Sequence, residues 1–498
     1  MKQRIKTLLT QTYSLVPESL ALYRIGMAAV LLGIIITILP YSDMLLGRHG
    51  ALPIENLLER KIFVLHGLFD HPLYMITLYG IQILAALCLL VGYRTRTATI
   101  ISWVLLLSMQ TRNPMILHSG DVLLKLMLFW GMFLPLGNYY SVDAHQRTSK
   151  PETNPVLTAA GIGLLLQIAL LYGASAYTKK DPVWHSTGEA LYYVLNVDYL
   201  ALPAGKWLLA LPADFLKMLS LGVYYMEAFA PLVLLNPFYA GPLRTGIIGL
   251  LILMHLAFIP TLNIGFFPWI DIVALLALLP LWFWKQNTPP TRFLKSFLLK
   301  ADNMLKQLAT RLPQFALQLP QKMHVSTRRI ANMLGVFFII FMLAANLRYI
   351  NVFYRVSGPY LTFIKMIGFE QNWGVFAPAP PRSDGWPVVN GKLTNSNTEN
   401  NMDLLTGQPP AWEKPENMIA FYKSDRLWKY LINVTSKCSN SPVIHAFGEY
   451  LCRQWDKKDK PVEGMDFYFM RESTPDYKTP NIKKPVEKVS LGTYECKE

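Results

Sequence analysis

Residues 245–264 have the sequence TGIIGLLILMHLAFIPTLNI, a run of twenty residues without a single Asp, Glu, Lys or Arg. A bilayer core about 30 Å thick is crossed by a helix of roughly 20 mainly apolar residues. The run predicts a transmembrane helix, because an isolated strand would leave its backbone groups unpaired in lipid. Nine segments of this kind occur in the chain, at 19–40, 74–92, 98–117, 121–137, 155–177, 219–236, 245–264, 266–284 and 331–348.

The overall composition agrees with lipid as the main solvent. The 498 residues are 52% hydrophobic and only 16% charged, whereas about a quarter of the residues of a soluble chain are charged. The formal net charge of +15 would suggest nucleic acid binding in a soluble protein. Here the basic residues lie between apolar runs, so we attribute them to membrane topology and expect no nucleic acid partner.

The order of the segments predicts the fold and its domains. We expect an α-helical polytopic membrane protein with about nine transmembrane helices and a small C-terminal α+β soluble domain. Beyond residue 349, Pro, Asn, Lys and Asp increase, and Trp386–Leu393 and Met465–Met470 resemble strands. The predicted parts are a cytoplasmic lead (1–18), a bundle (19–284), a basic amphipathic cytoplasmic linker (285–330), a last helix (331–348) and an extracytoplasmic domain (349–498).

Basic residues give the expected orientation. With the N-terminus inside, the inner segments hold seventeen Lys and Arg residues and the outer loops hold seven. Basic residues favour the cytoplasmic side of a membrane, and nine spans then place the C-terminal domain outside. An even number of spans would reverse that side.

Within residues 285–330, an apolar helical face alternates with basic residues. The pattern predicts a basic amphipathic helix resting on anionic lipid. A solvated linker helix is the alternative. The apolar positions of the face are Phe293, Phe297, Met304, Leu305 and Leu308.

Ionisable residues inside the predicted spans suggest a site. A charge at a helix centre costs on the order of 2.5–3.5 kcal/mol on insertion scales, so such residues often have a function. Glu227 and His255 lie deep in neighbouring spans and are candidates for a pocket. Asp121 lies near an outer end, where a structural ion pair or a helix-end residue is the simpler interpretation.

Four cysteines occur, at 88, 438, 452 and 496, without a CxxC pair, so we expect no metal site. An oxidising outer compartment permits a disulfide in the C-terminal domain. The short loop between Cys438 and Cys452 makes this pair the first choice, with Cys496 as a rival partner for either.

Several stretches together resemble the vitamin K-dependent gamma-carboxylase family and the wider group with a horizontally transferred transmembrane (HTTM) domain, in its bacterial form. The resemblance covers roughly residues 15–430. Its motifs, in chain order, are LALYRIGMA with Arg24; HSGDVLLKLMLFWGMFLPLGNYYSVDA at 118–144; Lys179-Lys180 followed by Trp184; His255 with Ile264-Gly265; and QNWGVFAPAPPRSDGW at 371–386.

The resemblance implies an enzyme of the bacterial inner membrane. In that family a lysine deprotonates a reduced quinone, oxygen turns it into a strong base that removes a proton from carbon, and carbon dioxide traps the carbanion. The resemblance implies vitamin K or menaquinone hydroquinone as cofactor, oxygen and carbon dioxide as co-substrates, and no metal. Lys180 and His118 are the implied catalytic residues, and the implied quinone and substrate contacts are His255, Glu227, Trp184 and Asp121.

Lys180 is expected to point inward, toward His118 and His255, while Lys179 points to water, because adjacent helical residues diverge by about 100°. The simpler interpretation makes both lysines interfacial anchors. A non-catalytic membrane protein that binds lipid, quinone or a partner protein is the alternative to a carboxylase acting on an extracytoplasmic protein or peptide. A transporter is disfavoured, because no paired Gly/Pro-interrupted spans recur in two halves.

Overall fold

The computed structural model describes residues 10–496, except residue 11 and the segments 56–62, 148–156, 315–324, 351–357, 395–400, 437–440 and 483. All nine predicted segments fall on helices. In chain order they are α1 (Pro17–Ile38), α2 (Pro72–Val91), α3 (Thr95–Arg112), α4 (Ser119–Gly131), α5 (Ala159–Thr178), α6 (Ala213–Leu235), α7 (Ala240–Thr261), α8 (Phe267–Ala277) and, after the linker helix α9 (Pro289–Arg311), α10 (Val325–Tyr349).

Six helices of the described chain are long and apolar enough to cross a membrane: α1 with its extension to Leu46, α2, α5, α6, α7 and α10. The polytopic helical fold is therefore confirmed. The other three predicted spans are shorter or more polar. Helices α4 and α8 have 13 and 11 residues, and α3 carries Arg96 and Arg112 among its 18 residues.

Helix α4 lies at the centre of the bundle. Of its 13 residues, 11 are buried, and Trp130 is completely enclosed. The Tyr23 hydroxyl of α1 donates a hydrogen bond of 2.8 Å to the carbonyl of Met127. A helix that is buried on nearly every side is stable only inside a bundle, which explains how a segment too short to span the bilayer alone is held there.

The C-terminal domain is α+β, as predicted. Its four-stranded antiparallel sheet has the order β2-β1-β3-β4, and Trp386 of β1 pairs with Met470 of β3, within the two predicted strands. Four helices of the described residues complete the domain. The elements are α11 (Gly358–Met366), β1 (Ser383–Leu393), β2 (Asn401–Asp403), α12 (Met418–Tyr422), α13 (Asp425–Thr435), α14 (Pro442–Asp456), β3 (Val462–Ser473) and β4 (Glu487–Glu495).

The disulfide of this domain joins Cys452 to Cys496 and not Cys438 to Cys452, so the preferred pairing was wrong. Helix α14 packs against β3 and β4, and this packing brings the end of β4 to Cys452, with the two Cα atoms 5.9 Å apart. Closeness in the folded domain decided the pairing, not the short loop. Cys438 lies outside the described residues.

Helix α9 and the C-terminal domain lie at opposite ends of α4. Arg426 of α13 contacts Asp121 in the first turn of α4. Helix α9 packs against the short helix Val142–His145, which follows the other end of α4. Helix α10 then returns the chain toward the C-terminal domain.

Candidate functional site

A cavity of about 770 Å³, including its mouth, lies between α5, α6 and α7. The segment after α10 covers it with Trp373, Val375 and Phe376. Most of the wall is apolar or aromatic, and the remaining apolar lining is Leu171, Trp184, Leu191, Val194, Val223, Phe258, Leu262, Ile264 and Phe267.

Lys179, Glu227 and Ser175 form the first polar group of the cavity. The Lys179 ammonium forms an ion pair with the Glu227 carboxylate of α6 and donates a hydrogen bond of 2.8 Å to Ser175 Oγ. Ser175 Oγ in turn donates to Glu227 Oε2 over 3.0 Å. Lys179 is only 3% exposed. The ammonium and the carboxylate face each other, and the Ser175 hydroxyl forms a hydrogen bond with both. The ion pair is therefore tolerated away from water.

The orientation of the two lysines is the reverse of the predicted one. Lys180 is exposed, and its ammonium lies 3.5 Å from the centre of the Tyr177 ring at the surface. The reason is the register of α5: Tyr172 and Ser175 line the cavity, and Lys179 continues that stripe four residues later. The spacing Tyr172, Ser175, Lys179 was the sequence signal that pointed to the first lysine.

Trp184 contacts both Lys179 and the segment that covers the cavity. Its ring lies 4.9 Å from the Lys179 ammonium, and its Nε1 donates a hydrogen bond of 3.1 Å to the carbonyl of Phe376. The backbone N–H of Asp181 similarly donates to the carbonyl of Pro378. The predicted Trp184 contact therefore lies in the cavity, and the Pro-rich segment 371–386 shields the lysine from water.

His255 and Tyr172 form the second polar group. The Tyr172 hydroxyl and His255 Nε2 are 3.0 Å apart. His255 is 1% exposed, and its Nδ1 has no hydrogen-bond partner among the described residues. The ring also contacts Phe258 and Phe267. The structure thus brings together Glu227, His255 and Trp184, three of the predicted site residues, in one cavity.

His118 and Asp121 do not line this cavity; they lie in an interdomain clasp. Arg426 binds Asp121 with both ends of its guanidinium, at 2.6 and 2.8 Å, and the backbone N–H of His118 donates to Asp121 Oδ2 over 2.7 Å. Both partners of the ion pair are at least 96% buried, with side chains only 2% and 4% exposed. The expectation of His118 as a catalytic neighbour of the lysine was wrong in its placement.

The His118 imidazole packs against the C-terminal domain. Its Nε2 lies 3.7 Å from Asp425 Oδ2, and its ring stacks on that of Trp428. Burial, together with the nearby Arg426 guanidinium, lowers the pKa of His118 to about 3. The ring is therefore neutral at neutral pH. No sequence pattern signalled Arg426, which lies 305 residues from Asp121.

Within the part of the chain that the structure describes, no group of three or more His, Cys, Asp or Glu residues is arranged to hold a metal ion. The chemistry available in the cavity is that of a lysine–carboxylate pair, a tyrosine–histidine pair and an apolar wall.

A family model described as the lipase maturation factor transmembrane domain matches residues 20–286, more than half of the chain. The chain belongs to this lipase maturation factor family. The match covers α1 to α8 and the polar groups of the cavity, and it ends before α9, α10, the cavity cover and the C-terminal domain. The protein is thus an integral membrane protein of a polytopic family. No curated protein and no solved structure matches the chain.

Proposed function

We propose that this lipase maturation factor family member binds a lipid-soluble molecule with a polar, hydrogen-bonding head in the cavity, namely an isoprenoid quinol of the vitamin K or menaquinone type. The observation that supports it is the pairing of an apolar cavity with two separate buried polar groups. Ligand sites are typically concave and mostly apolar, with a few placed polar groups. A quinol carries two hydroxyls at opposite ends of a flat ring, so one hydroxyl can face the Lys179 group and the other the His255 group.

The residues present fit such a head. Lys179 and Ser175 supply donors, Glu227 an acceptor, and His255 Nδ1 is buried without a partner in the described chain. A buried polar atom without a partner costs free energy, so a ligand that bonds to His255 gains from it. The apolar wall accommodates the rest of the ligand.

The proposed reaction couples quinol oxidation or epoxidation to proton abstraction and carboxylation of a substrate, in a bacterial inner membrane. When bound, the reduced quinone supplies, with oxygen, the base for this chemistry. Lys179 can pass its proton to Glu227, which converts the ion pair into an uncharged amine and an uncharged carboxylic acid. The amine then accepts a proton from a hydroxyl of the head. Trp184 and Phe376 keep water away from this transfer.

A second function follows from the family. The matching family is described by the maturation of lipases, so we also propose that the chain assists the folding of an extracytoplasmic protein without catalysis. The observation that favours it is the clasp between the bundle and the C-terminal domain, which presents an α+β surface next to the cavity.

The first experiment measures quinone that co-purifies with the protein, using Lys179→Met and Lys180→Met as matched variants. We expect the wild type and Lys180→Met to retain quinone and Lys179→Met to lose it. Because Lys179→Met leaves Glu227 as an unpaired buried carboxylate, the double variant Lys179→Met/Glu227→Gln separates loss of ligand from loss of folding. A wild type without bound quinone would overturn the proposed ligand, and equal retention in all variants would overturn its assignment to the Lys179 cavity.

The second experiment supplies reduced menaquinone, oxygen and labelled carbon dioxide to membranes that contain each variant. Quinone epoxide and fixed label are expected with the wild type and Lys180→Met only. Bound quinone without either product would leave a binding protein. Loss of active secreted lipase on deletion of the gene, without bound quinone, would favour the maturation role.

A further inference from the structure

Helix α9 uses one apolar stripe to dock on the bundle. Leu298, Leu305 and Ala309 are buried, and the last two pack against Val142. The His145 imidazole lies 2.8 Å from the Asp302 carboxylate. Since 7 and 4 residues separate the three buried positions, they form one face of the helix.

A second apolar stripe on the same helix faces away from the protein. Phe293, Phe297 and Met304 are 70%, 41% and 72% exposed. Lys300 and Arg311 are also exposed and belong to the same stripe. Phe297, Lys300, Met304 and Arg311 follow Phe293 by 4, 7, 11 and 18 residues, and each of these spacings is close to a whole number of helical turns. Two aromatic rings and a methionine in a row are an unusual surface for contact with water.

The charges on α9 are almost all positive. The helix carries five basic residues, and Asp302, its one acidic residue, is bound to His145. The preceding short helix Leu281–Lys285 exposes Trp282 to 41%, and this ring packs against Gly241 at the start of α7. Tryptophan is typical of the membrane–water boundary, so α9 begins at the level where a membrane-crossing helix begins.

We propose that α9 is an interfacial helix that binds anionic phospholipid. Phe293, Phe297 and Met304 enter the boundary of the acyl chains, and Lys300 and Arg311 contact the phosphate head groups beside them. The charge of the stripe and its apolar side chains both match such a surface. Lys295 and Lys306 lie on a different face, toward water, and take part only at a distance. This inference does not depend on a quinone or on catalysis.

The test uses the full-length protein in nanodiscs of phosphatidylcholine alone or with added phosphatidylglycerol. Hydrogen exchange of residues 289–311 is compared in Lys300→Gln/Arg311→Gln and in the matched pair Lys295→Gln/Lys306→Gln. We expect phosphatidylglycerol to slow exchange in the wild type and in the matched pair, but not in Lys300→Gln/Arg311→Gln. The preference of that variant for the anionic lipid should be about 30-fold weaker.

Folding is checked independently of the charges. Phe293→Ser/Met304→Ser should speed exchange of α9 in both kinds of disc, while exchange of the buried helix α4 stays unchanged. Identical exchange of the wild type in the two lipids would overturn the proposal. An equal loss in both charge variants would overturn the assignment of the contact to the Lys300 and Arg311 stripe.

Discussion

Replacing Arg426 by Met should release the C-terminal domain from the bundle. The guanidinium donates to both oxygens of Asp121 at 2.6 and 2.8 Å, and also to the carbonyl of Ile116 at 2.9 Å. Without it, the Asp121 carboxylate stays buried, and among the described residues its remaining hydrogen-bond partner is the backbone N–H of His118. The substitution removes a positive charge but leaves the negative one behind.

The size of the effect follows from that asymmetry. Breaking a buried ion pair by removing one partner typically costs about 3–5 kcal/mol, because the remaining charge is uncompensated. Replacing both partners costs much less, since no charge is left in the apolar surroundings. We therefore expect Arg426→Met to be less stable than the double variant Asp121→Asn/Arg426→Met, although the double variant carries one more substitution.

The assay is thermal unfolding of detergent-solubilised protein followed by tryptophan fluorescence, together with limited proteolysis of the C-terminal domain. Lys457→Met, which removes an exposed cation of the same domain, is the matched control and should unfold like the wild type. If Arg426→Met unfolds no earlier than Lys457→Met, or if the double variant is less stable than Arg426→Met, the reasoning about an uncompensated charge is refuted.

Three further predictions concern other parts of the molecule. Cys496→Ser should lower stability by about 4 kcal/mol in the chain-entropy model, because it opens a loop of about 44 residues, and non-reduced peptide mapping should recover the Cys452–Cys496 pair. Folding lowers the pKa of His118 from 6.5 to about 3. Its contribution to stability is therefore complete above pH 6.5 and is lost progressively as the pH falls toward 3. About 2 kcal/mol of the free energy of unfolding should disappear between pH 7 and 5. The thermal stability of His118→Gln should change less over that range than the stability of the wild type. A pH profile identical to that of the wild type would contradict the burial argument. A phosphatase fused to the C-terminus should be active, because we expect this end of the chain to lie outside the cytoplasm. Fluorescence from a C-terminal reporter that works only in the cytoplasm would contradict this topology.

The helices could be predicted because lipid imposes a strong local requirement. Any segment that crosses it must be apolar and must satisfy its own backbone, so composition over 20 residues is enough. The same reasoning treats α4 like an ordinary span. Its 13 residues need neighbouring helices on every side, and the packing that supplies them cannot be seen in a single stretch of sequence.

The cavity was predicted in part. Glu227 and His255 lie in it as expected, because buried ionisable residues in apolar helices are rarely without a role. Trp184, which the family resemblance implied, also lines it. The predicted orientation of Lys179 and Lys180 was wrong, since it followed the order of a motif and not the inward stripe of Tyr172 and Ser175. Helical periodicity decides which neighbour points inward.

The interdomain contacts could not be predicted, because they join residues with no local relation. An ion pair was the simpler interpretation of Asp121, but the sequence could not show that its partner, Arg426, comes from a helix of the C-terminal domain. The pairing of Cys452 with Cys496 has the same origin, since it depends on how α14 lies across the sheet. Such long-range contacts depend on packing and not on pattern.

The clasp and the cavity are physically connected through the loop after α7. Gly265 has a φ of +61°, and a Cβ at this position would lie 2.5 Å from Asp425 Oδ2 of the C-terminal domain. The residues on either side of this contact, Ile264 and Phe267, line the cavity, and Phe267 also touches His255. Asp425 directly precedes Arg426, so the helix that clasps Asp121 also presses on the wall of the cavity. The clasp and the wall of the cavity therefore meet at one short loop, the one that carries Ile264, Gly265 and Phe267.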